Sequence, residues 1–339
     1  MPRFFVNEQE RGWRAVGDAD DDYPDLVYRN RALITQLDGD PAAWDKVRHE
    51  DVYLGGHPTS SASSPELVAL MLDALDVELG MTVLEIGTGT GYNAALLCDQ
   101  LGDSEVTTVD VDEHLIEQAR RRLAQLDYHP RCVVADATHD VPSGLFDRLI
   151  STVGMRHVPS FWPRIVRPGG RILVHLYSDL TSDAVFALTV HGDGTASGGA
   201  PIGGTFMPTR ENTMPYTIPA DDPDAAVRAS TRLPGKALDE FGSFYLFASL
   251  LLRDVQLRYF TTDEGEFRTG VVSRDGAWAY ETNGTVVHGG RRDLWSELER
   301  IHGMWEAFGR PGRERLGLTV TQNGQTLWVD APEAVISSR

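Results

Sequence analysis

The stretch Glu85-Ile86-Gly87-Thr88-Gly89-Thr90-Gly91 constrains the fold of this chain more than any other. Met81 to Ile86 before it is a short apolar run that reads as a strand, and Tyr92 to Leu101 after it has helical spacing. Strand, glycine turn and helix in that order open a doubly wound parallel sheet, whose ligands bind beyond the carboxyl ends of its strands. Glycine permits the sharp turn and the close approach of a ligand to the backbone.

The alternation continues. Pro65 to Leu75 is an amphipathic helix with proline at its start and Ser64 placed to cap it. Glu105 to Val109, Arg131 to Ala135, Arg148 to Thr152 and Arg171 to Leu176 read as strands, and Glu113 to Leu126 as a helix. This pattern predicts a parallel sheet with helices on both faces. Residues 1–50 read as irregular and acidic, with the solvated run Asp18 to Asp22 and helical patches at Tyr28 to Leu37 and Pro41 to Val47. Gly192 to Gly204 reads as a glycine-rich loop, and Thr209 to Asp224 as a connector. Beyond it, Lys236 to Leu252 is an apolar helix, and Val255 to Thr261, Phe267 to Ser273 and Ala277 to Glu281 are strands. Asn283-Gly284 and Asn323-Gly324 mark hairpins, and Asp293 caps a helix running to about Phe308. The expected domains are a segment 1–50, a sheet domain 51–210 and a C-terminal α+β module 211–339 that recognises substrate.

Acids at successive strand ends define the ligand. A dinucleotide fingerprint has its third glycine three positions after the second. Here Gly91 follows Gly89 by two, and Glu85 precedes the loop. A pyrophosphate is disfavoured beside that acid; a cationic sulfonium bearing an amino group is not. Asp110, about 20 residues beyond the loop, ends the next strand and can accept from both hydroxyls of a ribose. Asp112, later in the turn, is the competing choice. Asp136 ends the following strand and can accept from an adenine amine. The expected cofactor is S-adenosyl-L-methionine, held by Glu85, Gly87, Thr88, Gly89, Gly91, Asn93, Asp110 and Asp136. The expected fold is α/β, a doubly wound, Rossmann-like methyltransferase sheet with a C-terminal α+β extension.

A net charge of -19 disfavours nucleic acid and anionic lipid, which call for basic patches. It is compatible with a small molecule or a peptide. No apolar run approaches the roughly 20 residues that span a bilayer. The N-terminus lacks the layout of a signal peptide. Cys98 and Cys132 fall in core elements without metal-ligand spacing, as buried reduced thiols. The expectation is a cytoplasmic chain with no metal site, its oligomeric state open.

Leu84 to Ala95 resembles the first motif of the protein-L-isoaspartate O-methyltransferases almost letter for letter. Ser61-Ala62-Ser63-Ser64-Pro65-Glu66-Leu67-Val68 is similar to that family's Thr-Ile-Ser-Ala-Pro-His-Met-Val segment, and Phe146 to Gly154 and Arg167 to Arg171 match its later strands. The similarity covers about Tyr53 to Leu176. It implies methyl transfer to the carboxylate of an aspartate-derived residue, with Ser63 beside that carboxylate and Ser61 at the neighbouring position. His57, in a glycine-rich loop, is a further candidate for substrate contact. The chemistry agrees: a carboxylate is already a nucleophile at pH 7, so alignment matters more than a general base.

Two departures stand out. Glu66 replaces the family's usual histidine or tyrosine, and the chain runs on for about 160 residues past the sheet. Phe206-Met207-Pro208 and the ending from Trp305 to Val320 look like the subgroup encoded with ATP-grasp enzymes in graspetide biosynthesis, with relatives in lanthipeptide clusters. That likeness implies a macrocyclic precursor peptide as partner and esterification of an Asp side chain. Closure to an aspartimide follows, which persists or hydrolyses to isoaspartate. The competing readings are general isoaspartate repair and a non-catalytic, cofactor-binding partner of a peptide-modifying enzyme.

Overall fold

The structure, a computed structural model, describes every residue except 1–2, 9–11, 50–54, 181, 211–226, 239–241, 262–264 and 339. The chain starts with β1 (Arg3–Asn7), β2 (Trp13–Gly17), α1 (Tyr23–Val27), β3 (Leu33–Leu37), α2 (Ala43–His49) and β4 (Pro58–Ala62). These strands pair antiparallel in the order β2-β1-β3-β4. Successive side chains on a strand point to opposite faces, so Phe4 and Phe5 part company. Phe4 packs with Val16, Leu33 and Leu26 of α1, and Phe5 with Ala15, Leu37 and the α2 residues Ala43 and Val47.

The segment expected to be irregular is therefore a sheet with a helix on each face. Pro41 to Val47 overlaps α2, but the helical reading of Tyr28 to Leu37 is corrected, because Leu33–Leu37 is a strand. Register shifts between Ile34 and Gln36 and between Gln36 and Leu37 break its two-residue period. The apolar spacing then imitates a helix. In the acidic run, Asp20 pairs with Arg48 and Asp22 with Arg14.

Next come α3 (Pro65–Leu75), β5 (Val83–Ile86), α4 (Tyr92–Leu101), β6 (Val106–Asp110), α5 (Glu113–Ala124), β7 (Arg131–Val134), β8 (Phe146–Ser151), α6 (Trp162–Ile165), β9 (Val166–His175), β10 (Ala184–Val190), β11 (Ala196–Gly199) and β12 (Ile202–Gly203). Strands β7, β6, β5, β8 and β9 run parallel in that order, and β10 turns back beside β9. This is the expected doubly wound sheet. Val83, Ile150 and Leu173 bury one face against Met71 and Leu75 of α3 and Leu97 and Leu101 of α4. Leu84, Leu149 and Ile172 bury the other with Trp162. Cys98 is buried in α4 and Cys132 half-buried in β7, both as free thiols.

The last part contains β13 (Val227–Ser230), α7 (Ser243–Leu251), β14 (Val255–Thr261), β15 (Phe267–Ser273), β16 (Trp278–Thr282), β17 (Thr285–Gly289), α8 (Leu294–Ala307), β18 (Leu316–Thr321), β19 (Gly324–Val329) and β20 (Val335–Ser338). Strands β13 to β17 make an antiparallel sheet in the order β13-β17-β16-β15-β14. Asp293 caps α8, accepting from the Ser296 amide at 3.1 Å. The helix expected from Lys236 is shorter, since Gly235–Ala237 forms only a tight turn. Most of the expected connector, Thr209 to Asp224, lies outside the described residues.

Strands β18 to β20 belong to the central sheet, whose order is β20-β19-β18-β11-β10-β9-β8-β5-β6-β7. The central sheet thus has strands from both sides of residue 210, while the five-stranded sheet lies wholly beyond it. The joint is the glycine-rich run expected as a loop. A Cβ on Gly198 would sit 1.9 Å from the Ala187 carbonyl oxygen, so only glycine lets β11 close on β10. Among the described residues, no helix is long and apolar enough to cross a membrane.

Gly198→Ala is expected to destabilise the chain by about 1–3 kcal/mol, the usual cost of overpacking. Chemical denaturation checks this; unchanged stability would show that β11 tolerates a side chain there.

Candidate active site

The glycine loop is built by conformations other residues avoid. Gly87, Gly89 and Gly91 have φ of 95°, 50° and 80°. At Gly87 a Cβ would also meet Val153 Cγ2 at 2.6 Å and Thr152 Oγ1 at 2.7 Å. Beneath the loop Glu85 is fully buried. Asn93 Nδ2 donates to its Oε1 at 2.8 Å, and the Thr108 hydroxyl to its Oε2 at 2.5 Å. The Thr88 and Thr108 hydroxyls share a further bond of 2.6 Å. Burial pushes the Glu85 carboxyl up to about 7, against the hydrogen bonds from Thr108 and Asn93. Glu85, Thr88 and Asn93 thus shape the loop from below. They border a small hollow with Ser61, Ser63 and Tyr92.

Above the loop lies a cavity of about 970 Å³, open mouth included. Asp110 lines it. Its Oδ2 accepts from the Gly89 amide at 3.0 Å and its Oδ1 from the Asp112 amide at 3.1 Å. Each oxygen keeps acceptor capacity for a diol hydroxyl. Burial raises the Asp110 carboxyl above its ordinary value. Asp112 is not in the cavity wall. It caps α5, accepting from the His114 and Leu115 amides at 2.9 and 3.2 Å. Of the two acids, Asp110 is the one in the cavity wall.

Asp136 also lines the cavity. Thr138 donates to its Oδ1 through the amide at 2.9 Å and the hydroxyl at 2.6 Å, and His139 lies 3.1 Å from its Oδ2. Burial raises this carboxyl, but those hydrogen bonds outweigh it and hold the group below the usual range. Val111, Leu115, Ala135 and Ala137 give the same cavity apolar walls suited to a flat base. Trp162, fully buried, fixes this wall by donating from Nε1 to the Ala137 carbonyl at 3.0 Å.

Strand β4 passes over the loop. A Cβ on Gly89 would lie 3.5 Å from the Ser61 carbonyl oxygen and 3.6 Å from Ser60 Oγ. Ser61 and Ser63 line both the large cavity and the small hollow. The strand is held by Gln36, whose Oε1 accepts from the Thr59 hydroxyl at 2.8 Å and whose Nε2 donates to Asp112 at 2.9 Å. Arg210 donates to Gln36 at 3.2 Å and also to Asp112. Ser64 stands at the start of α3 without a side-chain capping bond. His57 is exposed and does not line the cavity, and its amide donates to Asp38 at 2.8 Å.

Sequence reasoning did not single out Thr59, Thr152, Met155 or Arg210, all in the cavity wall. Met207 and Pro208, noted only as part of a motif, also line it. Their segment is clamped beside Gly154, whose amide donates to the Met207 carbonyl at 2.7 Å. Buried His175 supports it, accepting from the Phe206 amide at 3.3 Å and donating to the Ser182 carbonyl at 2.8 Å. Burial pushes His175 down to about 4, so it is neutral. Arg210 left no local signal, because its partners Gln36 and Asp112 lie 174 and 98 positions away.

The family model described as Protein-L-isoaspartate(D-aspartate) O-methyltransferase (PCMT) matches residues 41–211, half of the chain. A protein-L-isoaspartate O-methyltransferase of Thermococcus onnurineus is 36% identical over 143 residues, covering 40% of this chain and 64% of that protein. One of Thermotoga maritima is 35% identical over 133 residues, covering 37% and 42%. The matches thus span less than two thirds of these relatives. A solved structure described as a protein-L-isoaspartate O-methyltransferase covers 92% of this chain and 90% of its own, with a TM-score of 0.51 and 20% identity. At that identity the likeness concerns the fold alone, and at that coverage it extends well past residue 211.

Glu85 has a folded value raised above its ordinary 4.5 to about 7. Its contribution to stability is full below about 4.5 and is lost as pH rises through 7. Glu85→Gln removes that loss. Between pH 5 and 8.5 the unfolding free energy of the variant, relative to the parent, is expected to rise by about 3 kcal/mol. A pH-independent difference in denaturant titrations would show that Glu85 ionises normally.

Proposed function

The chain belongs to the protein-L-isoaspartate(D-aspartate) O-methyltransferase family, and from that premise we propose that it is an S-adenosyl-L-methionine-dependent carboxyl O-methyltransferase acting on an aspartate-derived residue of a peptide. The observation that carries this is one shared cavity: Ser61 and Ser63 on one side, the glycine loop with Asp110 and Asp136 on the other.

Asp110 would accept from the ribose hydroxyls and Asp136 from the adenine amine, with Val111 and Ala137 flanking the base. Gly87 and Gly89 would leave room for the amino-acid end above buried Glu85. When bound, S-adenosyl-L-methionine supplies a methyl group on a cationic sulfur. Ser61 and Ser63 donate to the acceptor carboxylate and aim one of its oxygens at that methyl. The acceptor is ionised at pH 7, with an ordinary aspartate value of about 3.9, so these residues need only hold it in line. Met155 and Met207 cover the cavity with apolar surface.

The finer reading is esterification of an Asp side chain in a macrocyclic ribosomal peptide. The next residue's backbone nitrogen then attacks the ester, expels methanol and closes an aspartimide, which water can open to isoaspartate. Support comes from the Phe206-Met207-Pro208 motif, which supplies two cavity-wall residues. The length of chain past residue 211 does not favour it, since a solved structure described as a protein-L-isoaspartate O-methyltransferase covers 92% of this chain. Nor does Glu66, which accepts from Asn30 and ties α3 to the N-terminal sheet. Linear isoaspartyl peptides and a cyclised Asp-containing precursor, offered side by side, separate the readings. On the finer one, only the cyclic peptide gains a methyl and then shows net loss of water in mass spectra; methylation of linear isoaspartyl peptides alone would contradict it.

Ser63→Ala is expected to lower kcat/KM for the peptide about 10- to 100-fold, with cofactor affinity within about twofold; Asp110→Ala weakens cofactor binding about 10- to 100-fold. Both follow from losing hydrogen bonds to charged or diol groups. Calorimetry with S-adenosylhomocysteine and steady-state kinetics check the split. Equal effects of each variant on both quantities would contradict the assigned roles.

A further inference from the structure

Strand β14 forms one end of the five-stranded sheet. All of it pairs with β15 in one unbroken antiparallel register, and among the described residues no strand lies along its other side. Such an edge offers unpaired backbone groups to any extended chain, and proteins ordinarily blunt it with proline, lysine, a bulge or a covering element. The sequence Val-Gln-Leu-Arg-Tyr-Phe-Thr has neither proline nor lysine, and its register has no bulge. The phase of the ladder is set one residue before the strand, where the Arg274 amide donates to the Asp254 carbonyl at 3.0 Å. In an antiparallel pair, alternate residues turn both backbone groups to the partner. Gln256, Arg258 and Phe260 therefore face β15, while Leu257 and Tyr259 turn their amides and carbonyls to the open side.

The side chains along this edge suit a guest strand. Arg258 is half-buried, and its guanidinium has no hydrogen-bond or ion-pair partner among the described residues. Its Nε is enclosed, but its two Nη atoms are not. Opposite Arg258 on β15 stands Gly270, which has no side chain to answer the charge. Arg268, on the same face, is already paired with Glu266. Beside Arg258 on that face, the Phe260 ring stacks on Tyr280 with centres 5.0 Å apart, and Tyr280 on Trp278 with centres 6.0 Å apart. A Cβ on Gly270 would come within 2.7 Å of Phe260, so the ring lies across that glycine. On the other face Tyr259 is 81% exposed.

We propose that β14 receives an extended segment of the acceptor peptide as an added antiparallel strand, with an acidic side chain of that segment set against Arg258. The proposal rests on the reading of the cofactor cavity as the site of peptide methylation. In strand addition the backbone groups, here those of Leu257 and Tyr259, supply affinity and the alternate side chains selectivity. The guest residue across from Arg258 forms a non-hydrogen-bonded pair with it, the kind whose side chains stand closer. Guest residues two places away point to the same face, and one of them meets Phe260. The edge also starts near the chemistry: Asp254, just before β14, lies 3.8 Å from Arg156, and Met155 lines the cofactor cavity. A second copy is a poorer guest. Two β14 strands paired along their full length set Arg258 against Arg258, and each chain carries a net charge of -19.

The test uses the full chain and fluorescein-labelled, amidated heptapeptides Thr-Val-Thr-X-Thr-Val-Thr, with Glu, Gln or Arg at X. Fluorescence anisotropy is expected to show the Glu peptide binding about 3- to 10-fold tighter than the Gln peptide, and the Arg peptide more weakly than either. Hydrogen exchange at the Leu257 and Tyr259 amides should slow when the Glu peptide binds. Arg258→Glu should reverse the order of the three peptides. Tyr259→Pro removes an outward amide and spares the ladder to β15, so it should abolish binding, whereas Tyr259→Thr keeps the amide and should retain it. S-adenosylhomocysteine affinity should be unchanged in all three variants. Joined through a Gly-Ser spacer to an isoaspartyl residue, the Glu peptide should show a lower KM than the Gln peptide by the same factor, with equal kcat. Binding that follows charge and variants in this way, without turnover of any isoaspartyl peptide, upholds the edge and sinks the methylation reading. No binding of any heptapeptide, no Glu preference, or a preference that survives Arg258→Glu overturns the edge, and turnover alongside that result leaves methylation standing. A dimer in light scattering that Tyr259→Pro dissociates assigns the edge to a second copy and also overturns the proposal.

Discussion

The carboxylate of Asp112 holds the site together. One oxygen caps α5 through the His114 and Leu115 amides, and the other accepts from Gln36 and from Arg210. These donors come from the N-terminal sheet and from the segment after β12. Burial raises the Asp112 carboxyl, and hydrogen bonds from Gln36, Arg210 and Leu115 more than reverse this. The group therefore stays charged, and charge-assisted bonds are about twice as strong as neutral ones. Gln36 passes the constraint on to Thr59, and so to the strand bearing Ser61. Asp112 follows Asp110, in the cavity wall, by two residues. The strand bearing Ser61 and the strand end bearing Asp110 are thereby locked in one frame, the rigidity that alignment of two bound groups calls for.

The C-terminal third serves that frame too. Strand β11 admits β18 to β20 into the central sheet because Gly198 presents no side chain to β10. From β19, Gln325 Oε1 accepts from the Val158 amide at 2.9 Å. This braces the loop after β8, which carries Met155 in the cavity wall. Strands far from the glycine loop in sequence thus brace one wall of the cavity.

Much of this was legible in the residues. Helices α3 and α4 begin and end where proline, glycine and apolar spacing place them, and the acids at the ends of β6 and β7 line the cavity. What escaped notice has a physical cause in each case. Strand β3 carries register shifts, so Leu33, Ile34 and Leu37 keep helical spacing inside a sheet. Strand β11 is mostly Ser and Gly and has no apolar period to read. Gln36, Asp112 and Arg210 meet only through the tertiary fold, and nothing local marks them as partners.

The most direct measurement follows the chemical nature of the bond formed. The purified chain is given methyl-labelled S-adenosyl-L-methionine and peptides bearing isoaspartyl or cyclised Asp residues, and the labelled product is treated with mild alkali. A carboxyl methyltransferase yields label that is released as methanol. Label that stays on the peptide in alkali, as on nitrogen, would contradict the account, and so would transfer to peptides lacking the acceptor carboxylate.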